Sequence, residues 1–377
     1  MNLVRVRAIV RKEVVQILRD SRSLAIVLVM PIMLLVLLGY GINLDQRNVP
    51  TCVLDRDASQ QSEDLLKRFQ SNRYFDITYA APNYPLLVQA IDSGQCRLGL
   101  VIPENFSELI QAGGVVSVQG LVDATDDNAA RLIFGYSQAV VAGYSSAVQI
   151  DFLQRNGVVA APSALSVESR TWFNEDMASS NFIVPGVIVI VMSVVGTFLT
   201  ALTIAREWER GTMEQLISTP VTALEVTIGK LVPYFVIGVI DTALCAAVAI
   251  YWFEVPFRGT VLMMFVASTL FLAVVLFIGF WISATTKSQL AASQFAMLLT
   301  FLPAFLLSGF AFPLEQTPIL IQILSYLTPA RYYVGLLKEI FLKGSSFAAM
   351  SPELLSLAIF AAIVGFLALR SFKKVLG

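Results

Sequence analysis

Six long apolar stretches constrain the fold of this chain more than any other feature of its sequence. A helix needs about 20 predominantly apolar residues to cross the hydrocarbon core of a bilayer. Six stretches approach or exceed that length: Leu24–Ile42, Val184–Ala205, Leu231–Phe253, Val261–Ile282, Ala291–Phe310 and Leu354–Leu369. Only 14% of the 377 residues are charged, too few to cover the surface of a soluble protein. The sequence therefore predicts a polytopic α-helical membrane protein with six transmembrane helices, the first at residues 24–42.

A further apolar segment, residues 311–345, is too interrupted to cross the membrane. Pro313, Pro318 and Pro329 divide it into short pieces, because proline lacks a backbone donor and breaks a helix. Irregular backbone at membrane depth is tolerated only where protein or a water-filled cavity surrounds it. We therefore expect re-entrant or interfacial helices here, on the outer side of the membrane. An arrangement with eight spans is the alternative.

Lysine and arginine are distributed unevenly between the two sides of the predicted membrane. One side carries 13 of these residues in 64 positions, and the other carries 13 in 187. The more positive side comprises residues 1–23, 206–230, 283–290 and 370–377. Because positively charged loops stay in the cytoplasm, both termini are predicted to be cytoplasmic.

The N-terminal residues 1–23 carry the pattern of an amphipathic helix. Apolar residues recur at spacings of three and four: Leu3, Val6, Val10, Val14 and Ile17. Arginine and lysine occupy other positions, and an apolar stripe with cationic flanks is typical of a helix in the membrane interface. We expect an interfacial connecting helix that leads into the first span. No cleavage site of small residues follows that span, which is expected to remain as an anchor.

A polar segment, residues 43–181, separates the first two apolar stretches. It carries 16 Asp and Glu against 9 Lys and Arg, a balance that suits the outer, periplasmic side. Short β-type runs such as Val49–Leu54 and Cys96–Ile102 alternate with helical ones, for example the one that Ser59 can cap. The alternation predicts an α/β domain, and the segment is long enough for a core of its own.

Several kinds of chemistry are excluded by what the chain lacks. It has no histidine, which excludes Ser-His triads and histidine metal sites, and three cysteines alone cannot build a zinc or iron–sulfur site. Its Gly-Lys pair, Gly229–Lys230, is not a phosphate-binding loop, because position 224 is leucine instead of glycine. The sequence predicts no enzyme, no metal site and no cofactor in this chain. The net charge of −1 favours no nucleic-acid partner.

The predicted cytoplasmic segment 206–230 is the most informative one. A short amphipathic helix, Met213–Ser218, follows the charged end of the second stretch, Pro220 stops it, and Thr222 can cap the next helix. Such a helix lies parallel to the membrane and can transmit force from a soluble partner. On physical grounds alone, a solvated loop between two spans is the favoured alternative.

Motifs along the whole chain resemble those of one family. The pattern E-R-G-T-x-E-x-L-x-x-T-P-x-x-x-x-E-x-x-x-G-K at Glu209–Lys230 looks like the signature of ABC-2-type exporter permeases. Further motifs agree with it: Trp172–Glu175, Asn181–Gly186, Ile282–Gln289, Ser308–Pro313 and Leu327–Tyr332. The layout is similar to that of the bacterial subgroup of multidrug-type inner-membrane permeases, which have a large periplasmic domain after the first span.

The resemblance implies a transport mechanism with partners. Two permeases pair as a homodimer or heterodimer, and each docks on an ABC ATPase, which binds ATP and magnesium and drives an amphipathic drug-like or lipid-like substrate outward. In some relatives a periplasmic adaptor completes the path. By their positions in the matching motifs, the residues expected to dock on the ATPase and to couple it to the spans are Glu207, Glu209, Arg210, Gly211, Thr212, Glu214, Leu216, Thr219 and Pro220. Lys287 and Gln289 are expected to form a second contact with it. The residues expected to form the outer gate or re-entrant turn are Gly309, Pro313, Pro329 and Arg331.

Three further residues keep alternative interpretations. Asp241, inside the third stretch, is either a proton or cation site or, as we favour, a protonated or helix-paired carboxyl group. Cys52 and Cys96 are compatible with a disulfide in an oxidising compartment and equally with two buried thiols.

Two other functions are compatible with a polytopic chain. A secondary transporter driven by an ion gradient has inverted repeats and charges near the membrane midplane. The sequence shows no repeat, and only Asp241 is an acidic residue well inside a span. A ligand-sensing membrane scaffold would not require the Glu209–Lys230 pattern. The exporter permease is therefore the favoured prediction.

Overall fold

The computed structural model describes residues 2–41, 48–155, 173, 178–310 and 314–371, which divide into two compact units, Met1–Asn43 with Thr171–Gly377 and Leu44–Arg170. The described α-helices are α1 (Leu3–Arg19), α2 (Ser21–Gly41), α3 (Gln60–Gln70), α4 (Tyr84–Asp92), α5 (Phe106–Gln111), α6 (Asp127–Arg155), α7 (Ser179–Glu209), α8 (Met213–Ser218), α9 (Ala223–Tyr251), α10 (Val261–Thr286), α11 (Gln289–Ala296), α12 (Leu302–Leu307), α13 (Ile319–Ser325), α14 (Pro329–Lys338) and α15 (Phe347–Ser371). The described strands are β1 (Val49–Asp55), β2 (Phe75–Ala80), β3 (Leu98–Ile102) and β4 (Gln119–Val122). We call the first unit the membrane unit and the second the α/β unit.

Within the described residues, five helices are long and apolar enough to cross a membrane. Four of them are α7, α9, α10 and α15. The fifth, Gln289–Leu307, runs through α11, a π-helical turn at Met297–Phe301 and α12. The predicted first span falls on α2, of which Val27–Gly41 is a shorter apolar helix. The prediction of a polytopic helical membrane protein is confirmed, and the count of six spans stays a prediction.

Helix α7 lies at the centre of the membrane unit. Residues Ile183–Ser193 are all buried, as expected of a helix that is apolar on every side. Helix α10 approaches it closely at Gly279, where an added Cβ would collide with the Thr197 carbonyl and the Thr200 hydroxyl. Small residues at such crossings let two membrane helices pack backbone to backbone.

The outer region contains two short α-helices and a 3₁₀ turn, Leu314–Gln316, in its described part. α13 has 7 residues and α14 has 10, both too short to cross a bilayer. Pro329 begins α14, where the missing N–H of proline costs no hydrogen bond. A π-helical turn, Glu339–Lys343, follows α14. Pro313 lies outside the described residues.

A four-stranded sheet forms the middle of the α/β unit, in the order β2-β1-β3-β4. β1 pairs in parallel with β2 and β3, whereas β4 is antiparallel to β3. β3 is buried along its whole length, with one apolar cluster around Phe69 and Leu100 and another around Leu87 and Val101. The Ser59 hydroxyl caps α3 as expected, in a reciprocal pair with Ser62.

Candidate functional site

The chain turns twice between α7 and α9, once before and once after the short helix α8. α7 ends at Glu209, and Gly211 has a φ of +70°, which a residue with a side chain adopts only at a cost. The short helix α8 follows and ends before Pro220. Thr222 and Glu225 then form a capping box at the start of α9. We call residues 206–230 the coupling segment.

A cluster of four charged side chains joins this segment to α1. Lys230 is only 1% exposed, and its Nζ lies 2.6 Å from Glu13 Oε1 and 3.1 Å from Glu207 Oε1. Lys12 Nζ donates to the same Glu207 oxygen at 2.7 Å. The cluster contains two positive and two negative side chains, so its net charge is zero. We call it the ion cluster.

The ion cluster holds three helices together because none of its buried charges is stable alone. Taking an ammonium or carboxylate group out of water costs several kcal/mol, which only well-placed opposite charges offset. Lys230 belongs to α9, Glu207 to the end of α7 and Glu13 to α1. Moving one of these helices away from the others therefore separates paired charges. The Thr212 hydroxyl also donates to Glu207, which ties the cluster to the turn before α8.

Helix α1 lies against the start of α9 through contacts at its N-terminal end. The Asn2 N–H donates to Glu225 Oε1 at 2.6 Å, and Arg5 donates to the Pro220 carbonyl. Gly229 faces Ile9, and an added Cβ there would lie 2.7 Å from the Ile9 side chain. Helix α1 therefore donates hydrogen bonds to residues on both sides of the turn between α8 and α9.

The face of α1 that is buried in the structure differs from the apolar face that the sequence pattern predicts. Val6, Ile9 and Glu13 are buried, whereas Leu3 and Val14 are exposed. Glu13 turns inward because Lys230 pairs with it, and this partner is distant in the sequence. Residues Leu3–Arg19 thus form a helix, and the face that it buries is the one that carries Glu13, the partner of Lys230.

A second connection joins the turn after α7 to the turn after α10. Glu209 accepts hydrogen bonds from the Gln289 N–H, at 2.7 Å, and from its side-chain amide. Lys287 Nζ lies 4.4 Å from the centre of the Trp208 ring, a cation–π contact. The structure therefore brings the predicted second contact, Lys287 and Gln289, beside the coupling segment.

The coupling residues predicted from the sequence divide into an exposed and an internal group. The exposed group comprises Glu209, Arg210, Gly211, Glu214, Thr219 and Pro220. Thr212 is half-buried and Glu207 is buried, so both contact other parts of this chain. The side chain of Leu216 lies outside the described residues.

The outer region places one half-buried amine beside Gly309, one of the predicted gate residues. Lys338 Nζ donates to the Gly309 carbonyl at 3.2 Å and lies 3.7 Å from the centre of the Phe182 ring. Burial lowers the pKa of Lys338 to about 8. Gly309 has a φ of +77°, which permits the turn after α12.

Arg331 joins the two short outer helices. Its guanidinium donates to the Gln322 carbonyl at 3.3 Å and to the Ser325 hydroxyl, and it lies 3.7 Å from the centre of the Tyr326 ring. These partners belong to α13 and its end, whereas Arg331 belongs to α14. Arg331 therefore holds the outer region together.

The structure also describes the surroundings of Asp241 and of the three cysteines. Asp241 is 0% exposed, and neither of its carboxylate oxygens has a hydrogen-bond partner among the described residues. Cys52 and Cys96 form a disulfide with a Cα–Cα distance of 5.8 Å, which joins β1 to the turn before β3. Cys245 is buried as a free thiol.

The family can be identified from the whole chain together with this geometry. Residues 22–370 match the family described as ABC-2 family transporter protein. This chain belongs to the ABC-2 transporter permease family. It is a multi-pass membrane protein, and its match to the family includes the coupling segment.

Individual relatives cover nearly the whole permease. The probable multidrug ABC transporter permease YbhS of Escherichia coli is 38% identical over 90% of this chain and 89% of its own length. YbhR, a probable multidrug ABC transporter permease of the same bacterium, is 25% identical over 98% of both chains. The inner membrane transport permease YhhJ of Escherichia coli is 25% identical over 87% of this chain and 86% of its own.

Sequence reasoning missed three important side chains of this permease, Lys12, Glu13 and Lys230. Lys230 belongs to the family pattern, but the pattern alone gives it no role. Lys12 is one of the cationic residues beside the apolar stripe, and the amphipathic pattern gives no role to Glu13. One signal could have found Glu13: it is the only acidic residue among the first 19, in a helix otherwise rich in arginine and lysine. An isolated opposite charge in such a helix indicates a specific partner.

Proposed function

We propose that this chain is the membrane-spanning subunit of an ATP-driven exporter. It moves an amphipathic substrate, drug-like or lipid-like, outward across the bacterial inner membrane. A partner ABC ATPase hydrolyses the ATP, and a second permease, identical or related, completes the pathway. The membership in the ABC-2 family and the names of two relatives as probable multidrug ABC transporter permeases support this proposal.

The ion cluster is the observation that carries the mechanism. A force applied to α8 reaches Glu207 through Thr212, and from there it reaches α9 and α1 through Lys230 and Lys12. Because Glu13, Glu207 and Lys230 are buried and paired, these helices move together instead of separating. Closure of an ATPase dimer against the coupling segment is thereby converted into movement of the membrane helices.

The exposed part of the coupling segment forms the docking surface for the ATPase in this proposal. Arg210, Glu214 and Thr219 are exposed, and the chain offers charges of both signs there. The positive-inside distribution of lysine and arginine supports placing this surface and both termini in the cytoplasm. The α/β unit then lies in the periplasm, where an adaptor protein can bind it.

Affinity purification from native membranes tests the proposal. The full chain is isolated in mild detergent, and its companions are identified by mass spectrometry. We expect an ABC ATPase to be recovered. We expect Glu214→Lys to lower this recovery at least tenfold, because it reverses the charge of a side chain that the bound ATPase would cover. Glu104→Lys, an equally exposed acid in the α/β unit, is the matched control and should leave recovery unchanged.

The opposite outcome is equally informative. If the chain is recovered without an ATPase, under conditions that preserve a known ABC complex, the exporter mechanism is wrong. The secondary transporter and the membrane scaffold would then be the remaining functions. Equal recovery with Glu214→Lys and wild type would place the docking surface elsewhere.

A further inference from the structure

Helix α1 exposes a second face, on the side away from its contacts with α9. Five large apolar side chains of α1 are exposed: Leu3, Val4, Val14, Val15 and Leu18. Val4 is 77% exposed and Leu18 is 63% exposed. At about 100° per residue, these two side chains project opposite Ile9 and Glu13, which are buried. Packing within the chain therefore leaves much of the apolar surface of α1 uncovered.

Two arginines belong to the same side of the helix. One row of residues, at spacings of three and four, makes up what we call the exposed face: Val4, Arg7, Arg11, Val15 and Leu18. Arg7 and Arg11 are exposed, and neither has an ion pair or hydrogen bond with a residue that the structure describes. Lys12, in contrast, pairs with Glu207. Glu13, the one acidic residue of α1, is buried in the ion cluster. The exposed face is therefore both apolar and positively charged.

The ion cluster indicates where α1 lies relative to the membrane. Helices α7 and α9 are both long and apolar enough to cross it. Glu207 lies near the end of α7 and Lys230 near the start of α9, and Glu13 of α1 contacts Lys230 at 2.6 Å. Helix α1 has 17 residues and five basic side chains, so it cannot itself cross the hydrocarbon core. It therefore lies at the level where two spans end, which is the level of the lipid head groups.

The chemistry of the exposed face restricts what can cover it at that level. A guanidinium group donates two parallel hydrogen bonds to a phosphate group, and its aliphatic stem can lie along apolar surface. A helix with basic and apolar side chains binds a bilayer through its buried apolar area and through attraction to anionic lipids. A head group with a net negative charge is complementary to Arg7 and Arg11. A zwitterionic head group has no net charge to attract them.

We propose that the exposed face of α1 binds anionic phospholipids in the leaflet beside the coupling segment. Arg7 and Arg11 donate to the phosphate oxygens of the head groups, and Val4, Val15 and Leu18 enter the boundary with the acyl chains. The opposite side of the helix holds the ion cluster, so bound lipid keeps Glu13 in position against Lys230. The inference goes beyond the proposed export function, because it concerns a lipid contact that any function of this chain would retain.

Contact quenching at α1 tests the proposal. Ala8 is exposed between the two arginines, and Ala8→Cys provides a single site for a bimane fluorophore, because Cys245 is buried and the other two cysteines form a disulfide. The labelled full chain is placed in nanodiscs of phosphatidylcholine that contain a fraction of either brominated phosphatidylglycerol or brominated phosphatidylcholine. We expect the anionic lipid to be preferred at least fivefold at this site, since each basic residue near an anionic surface contributes about fivefold in affinity.

Variants separate the charged contribution from the apolar one. Arg7→Gln/Arg11→Gln should remove the preference for phosphatidylglycerol without affecting the fold, because neither guanidinium has a described partner. The matched control, Arg56→Gln/Lys67→Gln, removes two exposed positive charges from the α/β unit and should keep the preference.

The apolar contribution has its own variant and a salt dependence. Val15→Ser/Leu18→Ser should lower quenching by both lipids at least twofold, because less of the helix then enters the acyl boundary. Raising the salt concentration from 0.1 M to 1 M shortens the Debye length from about 10 Å to about 3 Å. This change should reduce the preference for phosphatidylglycerol and leave quenching by phosphatidylcholine unchanged.

Three results would overturn the inference. The first is equal quenching by the anionic and the zwitterionic lipid, and the second is an unchanged preference in Arg7→Gln/Arg11→Gln. The third is a loss of ATPase recovery in this double variant without any loss of lipid preference, which would show that the exposed face docks on the ATPase instead. A lipid preference in a chain that recovers no ATPase would support the lipid contact and refute only the exporter proposal.

Discussion

Lys230 Nζ lies 2.6 Å from Glu13 Oε1, and this buried contact joins two residues that are 217 positions apart. The pair connects the interfacial helix α1 to the helix that leads out of the coupling segment. Through Glu207 the same amine reaches the end of α7. One ammonium group therefore links three helices on one side of the membrane unit.

Removing the amine should loosen this junction. We expect Lys230→Met to lower the free energy of unfolding by about 3–5 kcal/mol, because Glu13 would remain buried without its partner. Thermal or denaturant unfolding in detergent measures the loss. Lys67→Met, which breaks an exposed ion pair with Glu63, is the matched control and should change stability by less than about 1 kcal/mol. The double variant Lys230→Met/Glu13→Gln should recover much of the loss, and a double variant as unstable as the single one would contradict this explanation.

A methyl group at position 229 should push α1 away from α9. Gly229→Ala puts a Cβ about 2.7 Å from the Ile9 side chain, and we expect a destabilisation of about 1–3 kcal/mol. Ile9→Ala in the same chain should relieve the collision. Gly135→Ala in α6 meets no neighbour and should instead stabilise its helix by up to about 1 kcal/mol. If Ile9→Ala fails to rescue Gly229→Ala, the contact does not limit the approach of the two helices.

The disulfide between Cys52 and Cys96 should stabilise the α/β unit. It closes a loop of 44 positions, and its loss typically costs about 2–5 kcal/mol. Reduction should slow the electrophoretic mobility of the wild-type chain and make two more thiols available for alkylation. Cys52→Ser should show no mobility shift on reduction. Two alkylated thiols without a reductant would show that the cysteines are free in the membrane-embedded protein.

Stability should depend on pH through Lys338. Burial lowers its pKa to about 8 from an ordinary value of 10.5. Between these values the unfolded chain binds more protons than the folded one, so the free energy of unfolding should rise with pH over this window. This gain is lost again as the pH falls toward 8, and its size should be about 3 kcal/mol. Lys338→Met should flatten the profile between pH 8 and 10.5, whereas the exposed Lys343→Met should retain it.

Asp241 should be dispensable for transport. Its carboxyl group is buried and has no hydrogen-bond partner among the described residues, and Asp241→Asn preserves its size and its polarity. We expect assembly and the rate of substrate export in inverted vesicles to stay within about twofold of wild type. A loss of export with intact assembly would instead assign Asp241 a proton or cation site and favour coupling to an ion gradient.

Part of the candidate site was predictable, and the reason is local. Gly211, Pro220 and Thr222 begin and end helices through their own backbone preferences, and the structure has α8 and α9 where these residues require them. The residues assigned to docking came from the family resemblance instead, which does not distinguish exposed positions from buried ones. In contrast, the burial of Glu207 depends on Lys12 and Lys230, which approach from other helices, so no local pattern could indicate it.

The sequence by itself determined that this chain resides in a membrane and belongs to its family. Both depend on contiguous residues: the ability to cross a bilayer depends on the length and composition of one segment, and the motif at Glu209–Lys230 lies in one loop. Only the tertiary structure decided which face of α1 is buried and which charges pair. These properties arise from side chains that are distant in sequence, such as Glu13 and Lys230. Their energies depend on burial and on distances of a few ångströms, which exist only once the helices have packed.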